Sequence, residues 1–507
     1  MGNPKIVLIG FMGAGKTTAA RSLGEDSVDV DDVIEARLGR PIAQVFAEDG
    51  EERFRELEES VTLELLDDPA VPVLALGGGA VGSERVRHAL REHRVIWLDT
   101  VWEDGWQRVG GGEDRPLAGD PRRFQELHDQ RRPLYEALAN AIVPATRSQR
   151  LRPVVEAIEE MPSGARLLWA TSASADYPVY IGAGLVTEHR FWPVSMTGRR
   201  RLLVTDYNAG RLYADALAPL DGDIRIMPGE QSKTVAIASF VWTELVRHGA
   251  TRADLLVALG GGVVGDLGGF CAATYQRGMP VVQVPTTLVA QVDSSIGGKT
   301  GVDLPEAKNY IGAFHQPSAV LADPATLASL PPEELAAGYA EVVKTGLLVG
   351  GGLWDRLRSG AQPDDPDVIA ACALAKIRVV AQDERDTGLR QLLNLGHTVA
   401  HAIETASGYA RYRHGEAVGL GLLAELRLSG ADGLREEVRE LLEARGLPVA
   451  LDGSVDLEQV IFATARDKKR TEPGPVPFVL CPAPGRPVIG QTVAPADLRA
   501  AVRELQA

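Results

Sequence analysis

Gly10-Phe-Met-Gly13-Ala-Gly15-Lys16-Thr17 fits the pattern G-x-x-x-x-G-K-[ST] and follows the apolar run IVLIG. In such a loop, glycines turn backbone N–H groups inward onto phosphate oxygens. The lysine reaches the terminal phosphates, and the hydroxyl ligates Mg²⁺. Gly13, Ala14, Gly15, Lys16, Thr17 and Thr18 are therefore expected to hold ATP, with Thr17 on the metal. Asp29 and Asp31 put carboxylates soon after that loop. Far downstream, His397 and His401 are four apart and share a helix face. Glu341 and His414 are further ligand candidates, and two histidines with one carboxylate leave the open position of a catalytic zinc. The competing reading of H-x-x-x-H is two ordinary surface or core histidines.

Lysine usage gives an independent pointer. The chain has 44 arginines and only nine lysines: 5, 16, 233, 299, 308, 344, 376, 468 and 469. Arginine cannot replace lysine where a compact ammonium is required, so the survivors mark candidate contacts to phosphate, carboxylate or cofactor. Gly260-Gly-Gly262-Val263-Val264-Gly265-Asp266 follows the apolar run DLLVALG and could cradle a dinucleotide pyrophosphate. It is not GxGxxG, and a structural turn is an equal reading of it alone.

These residues need a scaffold of alternating strands and helices. IVLIG (6–10), VPVLAL (71–76) and RVIWLD (94–99) read as buried strands, with helical spacing between them. RLLVTD (201–206), DIRIMPG (223–229), DLLVALGGG (254–262) and PVVQVPTT (280–287) read as a second set. Strands alternating with helices predict parallel sheets, with ligands at the carboxyl ends of the strands. From Pro331 onward the pattern is helical, with almost no strand signal. The expected domains are 1–163, a linker over 164–178, an α/β domain over 179–330 and an all-α domain over 331–507.

The length of 507 residues argues against a single small binding module. The net charge of −16 argues against a nucleic-acid partner. Three cysteines without a CxxC exclude a disulfide framework or a thiolate zinc knuckle. The start lacks a signal-peptide pattern, and no run nears the ~18 apolar residues of a membrane span, so the expected location is the cytoplasm.

Taken in order, the first motifs resemble shikimate kinase over residues 4–150. They are the phosphate loop, Asp29-Val-Asp31, Phe54-Arg55, Gly77-Gly78-Gly79, Arg115-Pro-Leu and Arg131-Arg-Pro-Leu-Tyr135. The resemblance implies that Asp31, Arg55, Gly78, Gly79 and Arg131 surround shikimate, with Asp31 orienting the attacking hydroxyl. Two arginines also suit a planar carboxylate. Asp29 would stand near Mg²⁺. Arg108 and Arg115 fall in GWQRVGGGEDRPLAG, which resembles the family's mobile lid, where Arg115 would neutralise charge on the transferring phosphoryl. The stretch from Lys16 to Asp31 is shorter than the family pattern.

From Tyr180 to Lys469 the chain resembles 3-dehydroquinate synthase, carried by the block at 254–309, Glu341-Val-Val-Lys344, Lys376, Asn394-Leu-Gly-His397-Thr-Val-Ala-His401 and His414-Gly-Glu416. The resemblance implies a metal, Zn²⁺ or Co²⁺, on Glu341, His397 and His414. NAD⁺ would lie on Asp206, Asn208, Glu230, Lys233, Gly262, Val263, Val264, Gly265, Asp266, Thr286 and Thr287. Lys299 and Lys308 would stand beside cofactor or substrate. The substrate would meet Asp293, Asn309, Lys376, Arg390, Asn394 and Lys469. His401, Lys344 and Asp386 would be catalytic. Asp386 stands where the family usually has Glu, so its backbone must approach more closely. Arg277 resembles a residue that reaches into the partner of a homodimer.

The combined expectation is an α/β protein: a P-loop kinase domain with a parallel sheet, an α/β NAD-binding domain and an all-α metal-binding domain. It implies a bifunctional enzyme of aromatic biosynthesis acting on small molecules, shikimate and a seven-carbon acid phosphate. The alternatives are a nucleotide-binding regulator in the N-terminal part and a different sugar-phosphate cyclase in the remainder.

Overall fold

The computed structural model of the chain describes residues 4–109, 120–305, 307–464 and 476–506. The chain divides into two compact units. One is the chain up to Trp169 with Pro193–Ser195, and the other is Ala170–Trp192 with everything from Met196 on.

In the first unit, strands β1 (Ile6–Ile9), β2 (Ser27–Asp29), β3 (Val73–Ala75), β4 (Arg94–Asp99), β5 (Ala141–Pro144) and β6 (Arg166–Thr171) line up in the order β2-β3-β1-β4-β5-β6. Every pairing is parallel. Each central strand is a short apolar run buried on both faces, which only a sheet covered by helices can supply. β1 sits centrally, so the loop leaving its carboxyl end opens at the switch in strand order.

The second unit carries β7 (Asp176–Ile181), β8 (Arg201–Asp206), β9 (Gly222–Ile226), β10 (Leu255–Gly260), β11 (Val281–Pro285), the hairpin β12 (Lys299–Leu304) and β13 (Ala307–Phe314), and β14 (Ala319–Ala322). Six of them form a parallel sheet in the order β7-β14-β11-β10-β8-β9. Helices Pro332–Val349, Pro366–Gln382, His397–Ala406 and His414–Leu428 follow. Among the described residues, no helix is long and apolar enough to cross a membrane.

Two regions differ from the sequence reading. Residues 164–178 hold β6 and β7 where a linker was expected, because RLLWAT and DYPVYI bury their apolar side chains and leave only Ser172–Ala175 for the turn. Among the described residues after 331, the regular structure is helical except for an antiparallel pair, β15 (Phe478–Leu480) and β16 (Val488–Gln491). Strands of three and four residues carry too little alternation for a period-2 signal.

Two glycines set how closely the helices of the second unit pack. A Cβ at Gly415 would collide with the carbonyl of Ala337, 2.9 Å from its Cα, so helix His414–Leu428 lies directly against helix Pro332–Val349. A Cβ at Gly421 would collide with the carbonyl oxygen of Gly396 and stand 3.1 Å from Ala400 N, at the start of helix His397–Ala406. Gly415→Ala is expected to destabilise the unit by about 1–3 kcal/mol through overpacking. Gly433→Ala, where an added Cβ meets nothing, is expected to change stability by less than about 0.5 kcal/mol. Chemical denaturation midpoints of the two variants check the difference.

Candidate active sites

The loop after β1 forms because three glycines supply left-handed backbone: Gly10 (φ 150°), Gly13 (φ 79°) and Gly15 (φ 84°). A Cβ at Gly13 would stand 2.7 Å from Gly105 O, so the loop is fitted against its neighbour. Gly15 caps helix Lys16–Leu23, whose first turn holds Thr17 and Thr18 and no acidic residue. Such a helix start attracts an anion. Ala14 is buried beneath the loop. Lys16 Nζ donates to Gly10 O at 2.9 Å and Phe11 O at 3.2 Å, so the ammonium already lies over the cradle. Thr17 Oγ1 donates to Asp29 Oδ2 at 2.5 Å. The two expected Mg²⁺ neighbours are therefore adjacent despite the shortened stretch between them. Arg108 Nη1 donates to Gly13 O at 2.8 Å. Arg115 lies outside the described residues.

The glycine triplet after β3 is the floor of a second cluster. A Cβ at Gly77 would collide with Glu58 Oε1 and stand 2.9 Å from Asp31 Oδ1. One at Gly79 would fall on the Arg55 guanidinium, and one at Gly78 would lie 3.7 Å from Arg131 Nη1. Asp31, Arg55 and Arg131 thus converge where the sequence predicted. Tyr135 OH donates to Gly78 O at 2.6 Å and fixes the triplet. Burial lowers the Arg131 guanidinium's pKa, and the nearby Arg55 cation adds to the shift. Two crowded guanidinium groups beside an open glycine floor call for an anion. Glu58 was not foreseen. It is buried and accepts from Arg55 Nη1 at 2.6 Å, so it orients one of the pair. Its signal was the i, i+3 spacing from Arg55.

In the second unit, the carboxyl ends of β8, β10 and β11 gather the dinucleotide candidates. Asp206 caps the helix after β8, accepting from Asn208 N at 2.8 Å and Ala209 N at 2.9 Å. A Cβ at Gly260 would meet Asp206 Oδ2 at 3.3 Å, and one at Gly261 would meet Thr287 Cγ2 at 2.9 Å. Thr286 N donates to Gly260 O at 2.9 Å. Helix Gly262–Thr274 starts at this point and carries Val263, Val264, Gly265 and Asp266 in its opening turns. Asp266 pairs with the buried Lys233 at 2.5 Å. This is a cradle that side chains would fill, and it fits a pyrophosphate. A cavity of about 450 Å³ adjoins Glu230, Asp303, Lys308 and Tyr409.

Five lysines of this unit each face a carboxylate. Besides Lys233–Asp266, they are Lys299–Asp386, Lys308–Glu404 at 3.4 Å, Lys344–Glu341, and Lys376–Asp293 at 2.8 Å. Asp386 adopts left-handed backbone (φ 61°), which brings its shorter side chain to Lys299. Asp383 builds that turn by accepting from Thr387 N, Gly388 N and Arg390 N at 2.7–3.0 Å. Asn309 is also left-handed (φ 54°), and its N–H donates to Asp303 Oδ1 at 2.6 Å. Arg390 is buried and donates to Glu384 O at 2.7 Å and Gly297 O at 3.0 Å. Asn394 ends the short helical turn Leu389–Asn394. Arg277 is exposed on a left-handed turn with Gln276. Lys469 lies outside the described residues.

Glu341, His397 and His414 offer ligand atoms within 4.8 Å of one another. Glu341 Oε1 stands 3.4 Å from His397 Nε2 and 3.4 Å from His414 Nε2. Both histidines are the first residue of their helix, so the close packing at Gly415 and Gly421 brings them to Glu341. Their remaining ring nitrogens are also engaged. His397 Nδ1 lies 3.1 Å from Leu395 O, and His414 Nδ1 lies 3.5 Å from Glu404 Oε1. Burial and the Lys344 charge lower the His397 pKa to about 4, leaving a neutral imidazole. Burial would lower His414 too, but Glu341 and Glu404 outweigh it and raise its pKa to about 9. Two imidazoles and one carboxylate fit a catalytic divalent ion. His401 stands apart from the triad, its ring 5.6 Å from that of His397 and 6.4 Å from that of His414.

Comparisons with known proteins match these two units. The pattern of the family described as "Shikimate kinase" matches residues 12–162. Those described as "3-dehydroquinate synthase N-terminal" and "3-dehydroquinate synthase C-terminal" match 223–337 and 338–470. A 3-dehydroquinate synthase of Symbiobacterium thermophilum is 44% identical over 348 residues, covering 64% of this chain and 96% of that protein. One from Halorhodospira halophila is 45% identical over 299 residues, covering 56% and 84%. Among solved structures, ValA (2-epi-5-epi-valiolone synthase) from Streptomyces hygroscopicus subsp. jinggangensis, with NAD⁺ and Zn²⁺ bound, is similar at TM-score 0.60 and 27% identity, covering 66% of this chain and 99% of that one. The chain belongs to the 3-dehydroquinate synthase family and carries, ahead of that part, a shikimate kinase domain.

Proposed function

We propose that this one chain catalyses two steps of aromatic biosynthesis. The first unit phosphorylates shikimate with ATP to give shikimate 3-phosphate. The second converts 3-deoxy-D-arabino-heptulosonate 7-phosphate to 3-dehydroquinate and phosphate. The observation that carries the reading is that each unit gathers cationic side chains beside a cofactor cradle.

In the kinase unit, the loop amides and Lys16 would hold the ATP phosphates, and Thr17 and Asp29, hydrogen-bonded to each other, would hold Mg²⁺. Arg55 and Arg131 clamp the shikimate carboxylate against Gly78 and Gly79. That clamp leaves Asp31 to orient the ring hydroxyl toward the γ-phosphate, so catalysis here is chiefly positioning.

In the synthase unit, Glu341, His397 and His414 would hold zinc or cobalt, and the β10 loop with Asp206 and Thr287 would hold NAD⁺. When bound, the ion supplies Lewis acidity and NAD⁺ a reversible hydride acceptor. Lys299, Lys376 and Lys344 exchange their carboxylate partners for the substrate's carboxylate and phosphate. Asn309 and Asn394 orient the ring hydroxyl groups. His401 lies near enough to the triad to move a proton at the reacting carbon, with Asp386 as its counterpart across the Lys299 pair. Phosphate leaves, and the ring opens and closes by an aldol step without net oxidation. The synthase unit works as a homodimer, with Arg277 directed at the partner, in the cytoplasm. Two non-consecutive steps on one chain fix their ratio without implying transfer between the sites. The 44–45% identity to 3-dehydroquinate synthases, against 27% to the valiolone synthase, supports this substrate over another sugar phosphate.

Lys16→Ala is expected to lower shikimate-dependent ADP formation by on the order of 10²–10³-fold, with dehydroquinate formation unchanged. A coupled ADP assay run beside a dehydroquinate assay on the same preparation checks both. Chelation that strips tightly bound metal is expected to abolish dehydroquinate formation, and Zn²⁺ or Co²⁺ to restore it. Excess Mg²⁺ alone restores ADP formation. Glu341→Gln is expected to resist rescue by zinc at concentrations that saturate the unsubstituted chain.

A further inference from the structure

We propose that Glu404 is a positioning residue of the synthase centre: its carboxylate holds His414 for the metal ion and ties that ligand to Lys308 on the cofactor side. The proposal rests on the reading that Glu341, His397 and His414 bind a divalent ion. Glu404 is 3% exposed and lies seven residues after His397, two turns along the same helix. One atom makes both contacts. Glu404 Oε1 stands 3.5 Å from His414 Nδ1 and 3.4 Å from Lys308 Nζ. Nδ1 is the nitrogen that His414 does not turn toward Glu341, which faces Nε2. A carboxylate on the far nitrogen of a ligating imidazole fixes the tautomer and the ring plane, and raises the basicity of the ligating nitrogen.

The structure around Glu404 is built to hold it there. Tyr409 N donates to Glu404 O at 2.8 Å, and Tyr409 has left-handed backbone (φ 58°). That conformation folds the Tyr409 ring back under Lys308, 4.7 Å from Nζ, while its hydroxyl meets Thr405 Oγ1 at 3.2 Å. Lys308 is thus held between a carboxylate and an aromatic face. Lys308 and Tyr409 both line the cavity of about 450 Å³, which the cofactor candidate Glu230 also lines. The metal ligand and the cofactor-side lysine therefore share one acceptor atom. A group that draws Lys308 away alters what Glu404 offers to His414.

The test is metal affinity, measured on the full chain by competition with a chromogenic zinc chelator. Glu404→Gln keeps the shape and removes the charge, and it is expected to weaken zinc binding about 10–100-fold. The denaturation midpoint of the metal-free chain should change little. The Co²⁺ form should show a shifted visible absorption band, because the His414 ligand has changed in basicity. Glu404→Asp, which retracts the carboxylate but keeps its charge, is expected to fall between the two, and it decides the matter if the Gln variant does not fold. Zinc affinity and the Co²⁺ spectrum both unchanged in a folded variant would overturn the proposal. A parallel fall in metal-free stability that accounts for the whole loss would reduce Glu404 to a structural ion pair. If the unsubstituted chain binds no stoichiometric zinc, or Glu341→Gln binds it equally, the underlying metal reading fails instead.

Discussion

The synthase unit is organised around one buried carboxylate. Glu341 faces Lys344 within its own helix and His397 and His414 from the starts of two others. A carboxylate taken out of water at this depth is costly unless cations or a metal answer it. Here the Lys344 and histidine contacts outweigh burial and hold it well below the usual carboxylate range. The fold meets that demand by packing three helices so closely that only glycine fits at 415 and 421. Position in the helix, glycine contact and ligand geometry are thus one constraint.

The same logic spreads through the site as charge pairs. Each of the five lysines from 233 to 376 faces a carboxylate, and Lys233, Lys344 and Lys376 are nearly closed off from solvent. An ammonium of this kind is compact and can exchange one oxyanion partner for another, which a rigid guanidinium fork does less readily. That explains why lysine persists in a chain that otherwise uses arginine. Lys5, which falls on none of the phosphate, cofactor or substrate motifs, is also buried, with Nζ on the backbone carbonyls of Asp68 and Val71. The kinase unit solves the problem differently, gathering the Arg55 and Arg131 guanidinium groups over a glycine floor, a pair whose geometry suits a planar carboxylate.

Much of this was legible because it depends on short-range rules. RVIWLD and RLLVTD are strands over the residues that their apolar runs predict, and the phosphate loop falls between a strand and a helix as its glycines require. The histidines of the proposed metal triad stood out because histidine is scarce, with nine in the chain, whereas Glu341 and the choice of His414 over His401 came from the resemblance to 3-dehydroquinate synthase. Glu58 and Glu404 were not legible, since 69 acidic residues give a lone glutamate no prominence until its neighbours are known. The hairpin of β12 and β13 went unread because KTGVDL and AKNYIGAF mix glycine, charge and apolar residues without strict alternation. The supposed linker hid two strands, with Ser172 and Ser174 in the turn between them and Pro178 inside the second.

The most direct measurement is an anomalous diffraction map collected at the zinc edge from crystals of the full chain grown with zinc and NAD⁺. One peak is expected in the synthase unit, bonded to Glu341 Oε1, His397 Nε2 and His414 Nε2, with His401 outside the ligand set. A peak held by other side chains, or one that includes His401 in place of His414, would contradict this assignment.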